Sequence, residues 1–364
     1  MTVSFSKILR YVFLLCALHI ALFLVMFPAD CIEVGRSAVN LCLNSVVPSL
    51  FPFLICSGFF SATGAATVCS RYLSPIVRPL FKVPGCGAMV LVLGVVSGYP
   101  VGAACAANLY ATGQCTKAEA ERLCAFCNNS GPLFIMSVVG CGFLGNAVLG
   151  RYLYFTHILS AILSGIVLGL FSRRNYESRS ILPPKSVPAP KDTIFILGDV
   201  MDTSISSMLK ICGFIVFFSV FAATLPKSNL TPYLAAILEI TGGIKQLAAL
   251  GISLDTKLCL ISFFAAFSGI SVMLQVGAIT APHRLSLIPY LFGKLMQGGF
   301  SVVIMKVLLR LFPLNQSTFL QEKSPAAFAA EPLGNLFYSL SLLFAALIGI
   351  TAVISIIKLF KRMF

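Results

Sequence analysis

The chain has 364 residues, 58% hydrophobic and 10% charged, with 26 basic against 12 acidic side chains and a formal charge of +14. Soluble domains carry about 25% charged residues, so this composition excludes one. The basic residues flank apolar runs and form no lysine-rich tail, which argues against a nucleic-acid partner and for a chain oriented in a lipid bilayer.

An apolar run over 11–27 follows Lys7 and Arg10; with no small-x-small cleavage site after it, a retained first span is expected. Residues 32–44 mix apolar residues with Glu33, Arg36 and Asn40, as at a membrane interface. The stretch 45–60 carries Pro48 and Pro52 and reads as a kinked or re-entrant helix. A basic connector with Arg71, Arg78 and Lys82 leads to Pro84-Gly85. Residues 86–96 run into Ser97-Gly98-Tyr99-Pro100-Val101-Gly102, and 101–110 continue as a helix of small residues that permits close packing. Thr116 and Glu119 form a capping box for a short amphipathic helix to about Phe126. Asn128-Asn129-Ser130-Gly131-Pro132 ends it, and apolar segments follow at 133–144 and 152–171.

Residues 172–193, with Arg173, Arg174, Arg179, Lys185, Lys191 and four prolines, read as a flexible linker between halves. Its basic excess, like that of both chain ends, places it in the cytoplasm, while the acidic loop at 321–331 fits the outside. The second half continues with segments at 194–225, 230–250, 258–279, 285–311 and 336–359. The expectation is an all-α polytopic membrane protein with about eight spans plus broken or re-entrant helices. The two halves echo each other: Leu54-Ile-Cys-Ser-Gly-Phe-Phe60 against Lys210-Ile-Cys-Gly-Phe-Ile215, and Val96-Ser-Gly98 against Phe267-Ser-Gly269. An inverted repeat would give such echoes, and so would chance in a composition this biased.

Broken helices expose backbone groups that lipid cannot satisfy, so each break should be buried or line a watery cavity. At Asn128–Pro132, proline suits a helix start, where Ser130 and Gly131 would present free N–H groups to an anion and Asn128 and Asn129 would add donors. An ordinary cap at the membrane surface is the alternative. At Ser97–Gly102, Gly98 and Pro100 make the break, Tyr99 could stack on a flat ring and Ser97 could donate a hydrogen bond; a tight turn with Tyr99 at the interface is the rival. Ser268, Gly269, Ser271 and Gln275 share one helical face, either toward the same cavity or as a packing seam.

Asp199, Asp202, Ser206 and Lys210 make one polar stripe, which either lies in the interface or has Lys210 supply positive charge to the pathway. Glu239 and Lys294 are ionisable groups in apolar runs, and such groups are costly and often functional. Glu239 suits a proton or cation coupling site, or a partner for Lys245. Most cysteines lie in apolar runs, where a thiol packs as a small hydrophobe, and Cys124 and Cys127 lack the further ligands of a zinc site. The histidines His19, His157 and His283 are scattered, so neither a metal nor a cofactor is expected. No catalytic constellation appears.

Several blocks look familiar in their order. Pro48-Ser-Leu-Phe-Pro-Phe53, Ser97–Gly102, Phe126-Cys-Asn-Asn-Ser-Gly-Pro-Leu-Phe134, Ile211-Cys-Gly-Phe-Ile-Val-Phe217 and Phe267-Ser-Gly-Ile-Ser-Val272 together resemble the sporulation integral membrane protein family YlbJ, also called SpoVV. Met273 follows Val272 where a polar residue or histidine is expected. The resemblance implies a nucleoside-recognition Gate domain at about 45–150 within an N-terminal half 1–171, the linker 172–193 and a C-terminal half 194–364. It implies a fold similar in part to concentrative nucleoside transporters, and import of dipicolinic acid across the outer forespore membrane. The expected activity is therefore transport of a small anion, coupled to a proton or cation, in a cell membrane. Rival readings are a transporter of nucleosides or other neutral solutes, and a non-transporting membrane scaffold for spore maturation.

Overall fold

The protein is described by a computed structural model that covers residues 5–62, 65–172, 193–314, 340–343 and 345–349, and every regular element named below is helical. Helices α1 (Phe5–Met26) and α2 (Pro28–Leu41) meet at a bend of 112°, where Pro28 opens α2 without needing an N–H partner. A π-wound turn, Cys42–Val46, leads into α3 (Val47–Ala62), which carries Pro52 inside it. The expected basic connector is instead helical, since α4 (Ala65–Phe81) winds through Pro75 and Pro79. Burial explains the difference: Leu73, Ile76, Val77, Leu80 and Phe81 of α4 pack on the main apolar core, which outweighs the local cost of proline.

Next come α5 (Gly87–Ser97), α6 (Val101–Ala111) and α7 (Lys117–Cys127). The capping box of α7 is formed, with Thr116 Oγ1 accepting from Glu119 N at 3.3 Å and Glu119 Oε2 accepting from Thr116 N at 2.8 Å. A π-wound helix, Leu133–Phe143, precedes α8 (Ala147–Leu170), and Asn146 Oδ1 caps α8 by accepting from Val148 N and Leu149 N. The second half holds α9 (Thr193–Ala223), α10 (Thr231–Leu238), α11 (Ile240–Ala248), α12 (Leu254–Phe267), α13 (Gly269–Thr280) and α14 (Ile288–Leu311). The segment expected at 230–250 is broken at Glu239 into α10 and α11.

Helix α14 shows how the chain sorts its side chains. Ile288, Phe292, Leu295, Val303 and Val307 are exposed, whereas Tyr290, Lys294, Gln297 and Ser301 are buried. Apolar outside and polar inside is the arrangement a bilayer requires. Ala147–Leu170, Ile194–Ala223, Leu254–His283 and Ile288–Leu311 are long and apolar enough to cross a membrane, and the bent pair α1–α2 makes a fifth candidate. Short apolar helices such as α5, α6 and Leu133–Phe143 are half-helices joined at breaks, so counting apolar segments does not count spans. Packing of α14 against α7 and α8, and of α12 against α8, brings the two halves together, and the echoing sequences of α3 and α9 lie on neighbouring helices. The linker at 173–192, the loop at 321–331 and the basic residues Lys358, Lys361 and Arg362 lie outside the described residues.

Candidate functional site

Of the helix breaks among the described residues, four bear on one region: 98–100 between α5 and α6, 128–132 after α7, Glu239 before α11, and Ser268 before α13. The first two touch. Gly98 has φ 87° and ψ −173°, a conformation essentially reserved for glycine, and a Cβ there would stand 2.8 Å from the backbone nitrogen of Gly131. Gly94 and Gly102 flank this break and let the Cys127 carbonyl at the end of α7 press against both backbones. The last two breaks also meet, because a Cβ on Gly269 would stand 3.2 Å from the carbonyl oxygen of Ile237 at the end of α10.

A cavity of about 380 Å³ is lined by three of these breaks, at 98–100, 128–132 and Glu239. Its polar wall comprises Asn44, Ser97, Tyr99, Ser130, Ser137, Glu239, Thr241 and Gln275, and its apolar wall includes Leu41, Leu50, Ile211, Ile215 and Val272. The hydroxyls of Ser97 and Ser137 have no hydrogen-bond partner among the described residues, although Ser97 is only 2% exposed. Buried hydroxyls are normally paired, so these two are available to a ligand or water. Tyr99 donates to the Ala265 carbonyl at 3.0 Å, which ties the first break to α12. Glu239 caps α11: Oε1 accepts from Thr241 N at 2.8 Å and Oε2 from Gly242 N at 2.7 Å. A carboxylate thus already sits on one helix start in the cavity wall, where free N–H groups and the helix dipole favour it.

Behind Tyr99 runs a buried polar network that joins the halves. Lys294 Nζ donates to the carbonyl of Asn128 and, at 2.8 Å, to Gln297 Oε1. Gln297 Nε2 donates to Asn129 Oδ1 at 3.0 Å, and Asn128 Nδ2 donates to the Tyr290 hydroxyl at 3.3 Å. Tyr290 also meets the Ser268 hydroxyl at 3.1 Å, so three of the four breaks share this network or its neighbours. The Ser130 N–H donates to His157 Nε2 at 3.1 Å, and Asn129 Nδ2 donates to the Phe126 carbonyl at 2.8 Å.

The residues expected at the site divide accordingly. Ser97, Gly98, Tyr99, Ser130, Gly131, Gln275 and Glu239 line the cavity. Asn128, Asn129, Ser268, Gly269 and Ser271 lie behind it. The amide donors of Asn128 and Asn129, expected to face a ligand, are spent within the protein because buried amides need partners. Gln275 reaches Ser271 at 3.4 Å, as their shared face predicts. Lys210 is exposed on α9 with Asp202 and Ser206 and does not line the cavity. Glu239 does not pair with Lys245, which is exposed; the ion pair found among the described residues is Lys117–Glu121, at 3.9 Å. Among the described residues no group of His, Cys, Asp and Glu could hold a metal, and no disulfide forms among the cysteines whose side chains are described. Sequence reading missed His157, Tyr290 and Gln297 as parts of this region and left Lys294 outside the site. The available signal was the spacing of Tyr290, Lys294, Gln297 and Ser301 on one face of an otherwise apolar helix.

Residues 43–169 match the Gate family, described as nucleoside recognition. That range runs from the π-wound turn through α8 and includes the first two breaks. The sporulation integral membrane protein YlbJ of Bacillus subtilis (strain 168) is 32% identical over an alignment that covers 78% of this chain and 79% of that protein. No solved structure matches the chain. With its outward apolar faces and buried polar network, this is a multi-pass membrane protein, and it belongs to the family of the sporulation integral membrane protein YlbJ.

Proposed function

We propose that the protein is a transporter that carries a small anionic metabolite through the cavity between its helix breaks during sporulation. Dipicolinic acid, moved across the outer forespore membrane, is the substrate this reading names. The cavity carries the argument: at about 380 Å³ it falls within the range of small-molecule sites, and broken helices from both halves line it. Unpartnered Ser97 and Ser137 hydroxyls offer hydrogen bonds along one wall, while Leu50, Ile211 and Ile215 offer an apolar surface to a flat ring. The first turn of Leu133–Phe143 adds N–H groups without intrahelical partners, a favourable place for a carboxylate. Glu239 is the candidate for coupling a proton or cation, since it is a carboxylate in the cavity wall. No catalytic step, metal or cofactor belongs to this reading.

The test is uptake of labelled dipicolinate into vesicles containing only this protein in a bilayer. Saturable uptake that Ser97→Ala and Ser137→Ala together weaken supports the proposal. Uptake no faster than in empty vesicles, with folded protein present, rejects transport of this substrate. Saturable uptake of a nucleoside instead moves the assignment to a neutral solute.

A further inference from the structure

We infer that Lys294 is the positive centre of the substrate site, setting preference for an anion over a neutral ligand of the same shape by acting through Tyr99 from behind the cavity wall. This rests on the transport reading above. Lys294 is 0% exposed, and its ammonium is held by the Asn128 carbonyl, by Gln297 Oε1 at 2.8 Å and by Asn129 Oδ1 at 3.5 Å. The rings of Tyr99 and Tyr290 stand 5.3 and 5.8 Å from Nζ. Titratable groups facing it are Tyr99, Tyr290, Cys127 and His157. None is a carboxylate, and no ion pair forms to Lys294 among the described residues.

Carbonyl oxygens and aromatic faces stabilise a cation without cancelling its charge. A buried ammonium in a membrane protein usually meets a carboxylate or serves a pathway. Among the described residues no carboxylate pairs with this ammonium, and Glu239, the carboxylate in the cavity wall, is bonded to the Thr241 and Gly242 N–H groups, so the charge is left to act on whatever enters beside it. Tyr99 belongs to both places, since its ring meets Nζ and also lines the cavity. A carboxylate across that ring lies on the order of 9 Å from Nζ, one stacking contact of about 3.5 Å beyond the ring. At an effective dielectric of about 20, that separation still changes binding about twentyfold.

Lys294 also sits on the carbonyl end of α7, where a cation is favoured for structural reasons alone. A purely structural cap would lower binding of every ligand together, whereas a charge centre alters the ratio between ligands. The experiment therefore compares dipicolinate with the diamide of the same ring, in uptake by the full chain in vesicles. Lys294→Gln keeps hydrogen-bonding capacity and removes the charge. The dipicolinate-to-diamide ratio should fall about twentyfold, and Lys294→Arg should retain it. Equal losses for both ligands would overturn the inference and leave Lys294 as the cap of α7. If Lys294→Gln does not fold, Gln297→Glu makes the same comparison, because it places a carboxylate beside Nζ and cancels the charge in place. An unchanged ratio there overturns the inference too. A wild-type protein that transports but prefers the diamide rejects the role of Lys294 while transport stands. A wild-type protein that moves neither ligand rejects the transport reading itself.

Discussion

The breaks at Asn128–Pro132 and at Glu239 satisfy their backbone groups by opposite means. Around Asn128–Pro132 the partners come from far away: Lys294, Gln297 and Tyr290 on α14, and His157 on α8. At Glu239 a single residue leaves helical winding, and its own carboxylate caps the next helix. The first break is therefore only as stable as the contact between halves, whereas the second is complete within its own segment. A transporter that must rearrange has reason to keep one break local and make the other conditional on long-range contacts.

Substitution at the glycines should separate the two arrangements most strongly. Gly98→Ala places a Cβ against the Gly131 backbone in a glycine-only conformation, and should cost about 3 kcal/mol or more. Gly269→Ala also meets a positive φ, 77°, but its Cβ stands 3.2 Å from its nearest atom, so it should cost less. Thermal unfolding in detergent checks both, and equal losses would break the distinction. Gly131→Ala is the milder partner, with its Cβ 3.2 Å from the Ser97 carbonyl, and should leave folded protein with impaired uptake.

Asn129→Ala comes next. It removes the shorter of the two acceptors of Gln297 Nε2, leaving the His157 carbonyl at 3.4 Å, and takes a donor from the Phe126 carbonyl, for about 1–3 kcal/mol. Because the first break depends on α14, Asn129→Ala and Gln297→Ala should be strongly non-additive in a double-mutant cycle. Additive losses would mean the network does not act as a unit. Glu239→Ala should cost about 1–2 kcal/mol, the usual loss of a helix cap, and should be additive with Asn129→Ala. Coupling between that pair would show that the second break is not local after all.

Much of this was legible in the sequence where glycine or proline marks the chain. The capping box at Thr116–Glu119 and the breaks at 97–102, 128–132 and 268–269 formed where residue type demanded them. The break at Glu239 was not legible, because glutamate is outside the preferred set of capping residues and no proline accompanies it. Helix α4 was hidden for the converse reason, since two prolines argue against a helix that burial nonetheless maintains. The network at Lys294 has a readable half and an unreadable half. Its spacing on α14 marks one polar face, but its partner Asn128 is 166 residues away, and no local pattern reaches that far.

The smallest expected effect is also the most discriminating for function. Ser97→Ala removes a hydroxyl with no partner among the described residues, so stability should change by less than about 0.5 kcal/mol. If that hydroxyl binds substrate, affinity should fall by about 0.5–1.5 kcal/mol, several-fold in a titration. Unaltered affinity would leave the polar wall of the cavity without a role at Ser97.

Two segments wound more loosely than an α-helix, Cys42–Val46 and Leu133–Phe143, both contribute to the cavity wall, through Asn44 and Val46 on one side and Leu133, Phe134, Ser137 and Val138 on the other. Loose winding is held by bonds five residues apart, and tightening them to four rotates every later side chain about the helix axis. Ser137 would swing relative to Leu133 without any hinge, and the chemical character of the wall would change by twist alone.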